Sequence, residues 1–247
     1  RTHLWDIAKK VETYEGDTEN DLPKIWLEGP SEYTELATWT VDVTYVGFED
    51  SDYKVTGTIT ITNTGDMETE IIDVLDELCS IEVNVYWGDG ALFEGYNLPI
   101  GDTITLYYSY EPDDKLLDCS NEVTVTTALG NEYTASVAVT WGDPAEEVDA
   151  EVNIVDNSIF SDPTLPEILY ASDYTAGQII SFTYTHLFAW ADYVDQCGAD
   201  LQFVNITEVI GDDDIVLASA SATLLVNVRC EELEVSKTVD TSYKRTH

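Results

Sequence analysis

Residues Thr38–Tyr45 read "TWTVDVTY". Trp39, Val41, Val43 and Tyr45 fall on one side of an extended chain, and Thr40, Asp42 and Thr44 on the other. Strict period-two alternation with β-branched and aromatic residues is the signature of a half-buried strand. The alternation recurs in "VTGTITI" (Val55, Ile59, Ile61) and at Ile104, Leu106, Tyr108 and Tyr110. It recurs again at Val137, Val139 and Trp141, at Ile180, Phe182 and Tyr184, and at Leu224, Val226 and Val228. Turn signals separate these runs: "NTGD", "WGDG", "LPIGD", "LGNE" and "IGDDD". Many short strands at this spacing predict an all-β chain of sandwich or barrel type. One stretch also fits a helix, Met67–Leu78, with Ile71, Val74, Leu75 and Leu78 at helical spacing. Its surroundings favour a strand there.

Two segments echo one another. One begins at Cys119 and the other at Cys197, and each continues with a β stretch, a Gly turn (Gly130, Gly211) and an Ala-Ser strand. Each reads as the closing hairpin of a sandwich domain. "GDP" at Gly142–Pro144 then marks a boundary. The expected organisation is two tandem immunoglobulin-like β-sandwiches over 1–143 and 144–232, followed by a junction strand over 233–247.

The chain has 247 residues and 44% hydrophobic content, enough for real cores. Its 49 acidic residues against 10 basic leave a net charge of -39. That excludes nucleic acid as a partner, because phosphate binding needs a basic surface. It also argues against docking on anionic lipid. No run of 18 apolar residues is present, so no direct membrane insertion is expected. None of the four cysteines lies in a CxxC pair, which weakens zinc and thioredoxin-like readings. Keeping each bridge inside one domain pairs Cys79 with Cys119 and Cys197 with Cys230; free buried thiols are the alternative. Such bridges imply an oxidising, extracellular compartment.

The ends of the chain share a tripeptide. Arg1-Thr2-His3 recurs as Arg245-Thr246-His247. "VSKTVD" at Val235–Asp240 also echoes "IAKKVE" at Ile7–Glu12. If one copy ran into the next at the shared Arg-Thr-His, the text would be a continuous pair of strands. Fixed-period similarity marks repeat arrays. Arg1, Thr2, His3, Trp5, Ile7, Val235, Val239, Tyr243, Arg245 and His247 are therefore candidate inter-repeat junction residues, with 233–247 of one copy completing the first domain of the next.

Several stretches together resemble a known module: the Trp39–Val43 strand, Asp50–Asn63, Gly101–Tyr108, and Val235 onward into Trp5–Val11. They are similar to the tandem immunoglobulin-like, prealbumin-like repeats of giant secreted bacterial and archaeal surface proteins. The resemblance covers about two-thirds of the chain. It implies extracellular, structural or adhesive roles without catalysis. Such modules often carry a Cys near the late Tyr-rich strand, where "LYYSY" has none.

Catalytic and cofactor signals are absent. The three histidines form no H-x-x-x-H pair and no local Ser-His-Asp motif, and no P-loop or dinucleotide fingerprint occurs. His186 lies in phase with Phe182 and Tyr184, as a strand residue packed among aromatics. Asp50, Asp52, Asp212, Asp213 and Asp214 are weak Ca²⁺ candidates, set in turns where Asp is favoured for its own hydrogen bonding. Asn205-Ile206-Thr207 is an N-glycosylation acceptor pattern. Lys9 and Lys237 sit in otherwise apolar alternation. Such a lysine can join Asn or Asp in an amide, as in some pilins; an outward lysine that discourages stray strand pairing is the expected reading. The tryptophans are expected to anchor cores. The expected function is a structural repeat of an extracellular filament or surface fibre, its copies joined head to tail and needing no cofactor. The alternative is an adhesin or S-layer stalk displaying a separate ligand-binding domain.

Overall fold

The computed structural model describes residues 1–29, 33–156, 165, 167–231 and 233–245, and among these no α-helix occurs. In chain order the strands are β1 (Thr2–Thr13), β2 (Thr18–Glu19), β3 (Leu22–Glu28), β4 (Thr34–Glu49), β5 (Val55–Thr62), β6 (Thr69–Leu78), β7 (Ile81–Val83), β8 (Val85–Tyr86) and β9 (Tyr96–Leu98). They continue as β10 (Thr103–Tyr110), β11 (Ser120–Thr127), β12 (Glu132–Ala138), β13 (Glu151–Asp156), β14 (Glu167–Tyr170), β15 (Gln178–Ala189), β16 (Asp200–Ile210) and β17 (Val216–Arg229). The ambiguous stretch from Met67 is strand β6, as its neighbours suggested.

Two compact units result, and one interrupts the other. The interrupted unit takes His3–Phe48 and the chain from Val148 onward. The inserted unit takes Arg1–Thr2 with Glu49–Glu147. The boundary near Pro144 is close to the observed one, but the contiguous split at 143 is not what forms. The first 48 residues go to the later unit because strand pairing demands it. β4 pairs over Thr34–Tyr45 with the whole of β15, Trp39 opposite Tyr184, and β3 lies parallel to β17, Ile25 opposite Val226.

The interrupted unit has one sheet in the order β1-β4-β15 and another in the order β14-β13-β16-β17-β3-β2. Each sheet offers one apolar face. From the first come Trp39, Val41 and Val43, and from the second Ile25, Leu27, Ile154, Val209, Leu224 and Val226, all fully buried in one core. Two such faces closing on each other make a sandwich. The Thr, Asp and Ser positions between them point to water.

The inserted unit has a sheet β5-β10-β8 and a sheet β12-β11-β6-β7, with β9 on β6. Its smaller core joins Ile59, Ile71, Val74, Val85, Leu98, Ile104, Leu106 and Val125. The alternation at Val137 misleads. β12 is an outer strand with only β11 beside it, and Val137 is 62% exposed.

Both disulfides form with the expected pairing, Cys79–Cys119 and Cys197–Cys230. Each is tied to a hairpin. Cys119 precedes β11, whereas Cys197 and Cys230 flank β16 and β17. Bridges of this kind persist in oxidising compartments and are rare in the cytosol. The sequence separations of 40 and 33 correspond to about 4 kcal/mol each in the chain-entropy account. Replacing Cys197 and Cys230 together by Ala is expected to lower the interrupted unit's stability by about that amount. Urea unfolding should show it, with the inserted unit's transition unmoved.

Candidate functional site

β1 turns His3, Trp5, Ile7, Lys9 and Val11 inward in alternation. The lysine in this row has a side chain 0% exposed. A buried ammonium costs several kcal/mol unless partners surround it. The partners come from the facing sheet. The Lys9 amine donates to Asp156 Oδ2 at 3.0 Å, to Asn205 Oδ1 at 2.7 Å and to Thr207 Oγ1 at 2.6 Å. β13 and β16 run antiparallel with Asp156 opposite Thr207, and Asn205 stands two residues before Thr207 on the same inward face. Tyr184 of β15 closes the ring: its hydroxyl donates to Asp156 and accepts from the Asn205 amide. Its ring stacks on Trp39, with centroids 5.8 Å apart. Burial lowers the Lys9 pKa against the opposing pull of Asp156. Among the described residues, the second Asp156 oxygen, Oδ1, is buried without a hydrogen-bond partner.

This geometry corrects two expectations. Lys9 is an interior lysine, not an outward guard of an edge. Asn205 is 2% exposed with its amide engaged, so the folded chain offers it to no glycan.

The inserted unit repeats the arrangement with one part missing. In chain order β4, β13, β15, β16 and β17 correspond to β5, β6, β10, β11 and β12. In both series the first strand pairs with the third, the second with the fourth, and the fourth with the fifth. Asp76 on β6 lies opposite Val123 of β11, and Asn121 stands two residues before Val123. That is the cross-strand relation of Asp156, Thr207 and Asn205. Asp76 is 0% and Asn121 6% exposed.

What has no counterpart is β1. β5 is the outer strand where β4 has β1 beside it. Among the described residues, no well-formed hydrogen bond meets either Asp76 oxygen or Asn121 Oδ1, all of them buried, and the Asn121 side chain is the weak hydrogen-bonding neighbour of the Asp76 carboxyl. Burial pushes the Asp76 carboxyl up to about 6, against a smaller opposing effect of Asn121. A cleft of about 460 Å³ with a mixed lining opens along β5, where Ile59, Ile61, Val123 and Val125 alternate with threonines and asparagines such as Thr60, Asn63 and Asn131.

The remaining sequence candidates are scattered. Asp50 is engaged by Arg1, whose Nε and Nη2 donate to it at 2.8 and 3.2 Å, and this holds its carboxyl below the usual range. Asp52 is exposed in the link between β4 and β5, with a left-handed backbone. Asp212 and Asp149 each accept the other's backbone N–H, and Asp213 and Asp214 take left-handed turn conformations. Among the described residues, no group of three His, Cys, Asp or Glu side chains could hold a metal ion.

The junction candidates at the start, Thr2, His3, Trp5 and Ile7, are part of β1. His3 Nδ1 lies 2.8 Å from the Tyr45 hydroxyl, and Trp5 Nε1 donates to the Asp149 carbonyl. Those at the end form no strand. Val235, Val239 and Tyr243 are 87%, 79% and 92% exposed, and Arg245 is exposed too. His247 lies outside the described residues. His186 meets Phe188 edge to face at 4.7 Å, as a strand histidine among aromatics should.

No protein-family model matches the chain. No curated protein matches it either. Among solved structures, the putative ApaA protein from Bordetella pertussis aligns at 11% identity, covering 56% of this chain and 91% of that one, with a TM-score of 0.17. The CARDB domain of a Pyrococcus furiosus protein aligns at 12% identity, covering 55% and 94%, with a TM-score of 0.14. Likeness at these scores says nothing about function.

The missing partner of Asp76 has a measurable consequence. A carboxyl raised to about 6 in the folded unit binds its proton more tightly there than in the unfolded chain. Its contribution to stability is full below about pH 4 and is lost as pH rises through about 6. Asp76→Asn is expected to remove this slope. The gain at pH 7 is at most about 3 kcal/mol, less where water enters the open edge. Urea midpoints of both proteins at pH 4 and pH 7 measure it.

Proposed function

We propose that the chain is a structural unit of an extracellular filament or surface fibre, built from identical copies joined head to tail. In this reading, residues 233–243 of one copy supply the strand that the inserted unit of the next copy lacks. The carrying observation is a match of residues. Leu233-Glu234-Val235-Ser236-Lys237-Thr238-Val239-Asp240 parallels Trp5-Asp6-Ile7-Ala8-Lys9-Lys10-Val11-Glu12 in side-chain type at every position except one outward one, where Thr238 stands against Lys10. Seated beside β5, the segment would turn Val235, Lys237 and Val239 inward, as β1 turns Ile7, Lys9 and Val11. Lys237 would then meet Asp76 and Asn121, the buried pair that has no cation.

Strand addition to an open sheet edge is a common mode of protein recognition, with main-chain hydrogen bonds for affinity and side-chain pockets for register. A head-to-tail contact of this kind does not close on itself and so propagates into a fibre. The shared Arg-Thr-His gives the point at which one copy would run into the next as a single polypeptide. A net charge of -39 per copy keeps neighbouring fibres apart at low salt.

Two copies joined at the shared tripeptide test this. Hydrogen exchange of residues 233–243 in the first copy and of β5 in the second should slow by at least about a hundredfold relative to a single copy. Exchange of that segment at free-chain rates in the joined protein would overturn the proposal.

A further inference from the structure

We propose that Lys9 and Asn205 join in an intramolecular amide bond that the folded chain makes by itself, with Asp156 moving the protons. The inference rests on the interrupted unit alone and stands or falls apart from the fibre proposed above.

Three features carry it. The first is proximity. The Lys9 amine is 2.7 Å from the carbonyl oxygen of Asn205, closer than to the carboxylate at 3.0 Å. Holding amine and amide together in a fixed geometry removes most of the entropic barrier between them. The second is dryness. The Lys9 side chain is 0% exposed, Asn205 2% and Thr207 0%, so water cannot compete as a nucleophile. Burial also lowers the amine's pKa, which makes its free-base form accessible. The third is a base in place. Asp156 touches the amine with one oxygen and keeps the other buried and unpartnered. Tyr184 holds the nitrogen that must leave, accepting from the Asn205 amide while donating to Asp156. An ion pair alone would need none of the asparagine.

The chemistry balances without a co-reactant. Asp156 takes a proton from the Lys9 ammonium. The free electron pair on Nζ attacks Cγ of Asn205. Asp156 returns its proton to Nδ2 and receives the second proton from Nζ. The Nζ–Cγ bond is then complete, the Cγ–Nδ2 bond breaks, and ammonia departs, taking up that last proton as ammonium. Nothing is oxidised or reduced, and the chain loses one NH₃. The bond would lock β1 in one sheet to β16 in the other across 196 positions of sequence.

The mass of the intact, reduced full chain decides the matter. The folded protein is expected about 17 Da below its sequence mass, and a digest should release one branched peptide joining the Lys9 and Asn205 segments. Asp156→Asn and Lys9→Arg are each expected at full mass. The unmodified chain needs no variant for its result, so a variant that fails to fold does not blunt the test. Full mass in the folded, unmodified chain would overturn the proposal and leave an ion pair only. A loss of about 18 Da would also overturn it, since water rather than ammonia would then have left and the bond would lie on Asp156.

Discussion

The inward face of β4 holds the larger sandwich together. Ala37, Trp39, Val41 and Val43 are all fully buried, and β4 is the central strand of its sheet, with β1 on one side and β15 on the other. Burying an aromatic and several aliphatic side chains supplies several kcal/mol, and the same packing fixes where the polar groups must go. Trp39 stacks on Tyr184, and Tyr184 closes the ring around Lys9. The hydrophobic core and the buried charge are therefore one construction. Remove the stack and the lysine's surroundings become wet.

Polar burial is selective in a chain whose surface is so acidic. Of many carboxylates, Asp76, Asp156 and Glu35 lie on inward faces, and each of the two aspartates has an asparagine at the same cross-strand offset. One pair has its lysine and the other does not. A carboxylate in low dielectric without a partner is costly. That cost is a standing bias toward any strand that brings a cation to β5.

Much of this was legible in the residues. Alternation located the strands at Trp39–Tyr45, Val55–Ile61, Ile104–Tyr110 and Leu224–Val228, because period two is a local property of a half-buried strand. The even cysteine count, with each bridge kept inside one domain, led to both disulfides. Partner choice was not legible, since it depends on which distant strand completes an apolar face. Hence the first 48 residues were grouped with their neighbours in sequence instead of with β15 and β17. Val137 departs for a related reason: its alternation is real, but it lies on an outer strand and is exposed. The sequence marked Lys9 as an oddity without saying which way it pointed. Asn205 was noticed for its motif, and only the pairing of β13 with β16 showed that Asp156 stands beside it. The Asp76–Asn121 pair carried no signal of its own, and comparison of the two units was needed to find it.

The interruption of one unit by another also shapes how the protein comes off the ribosome. The inserted unit is complete once Glu147 has been made, but β4 must wait for β15, whose residues begin at Gln178. At ordinary synthesis rates that delay is on the order of ten seconds. Throughout it, a long strand with Trp39, Val41 and Val43 along one face has β1 on one side and an open edge where β15 will lie. Such a strand invites pairing with the nascent chain on the next ribosome. Asp42 and Glu35 within it, and the acidic residues around it, make that meeting repulsive. The negative charge would thus act first as a guard during translation, before any mature surface exists for it to cover.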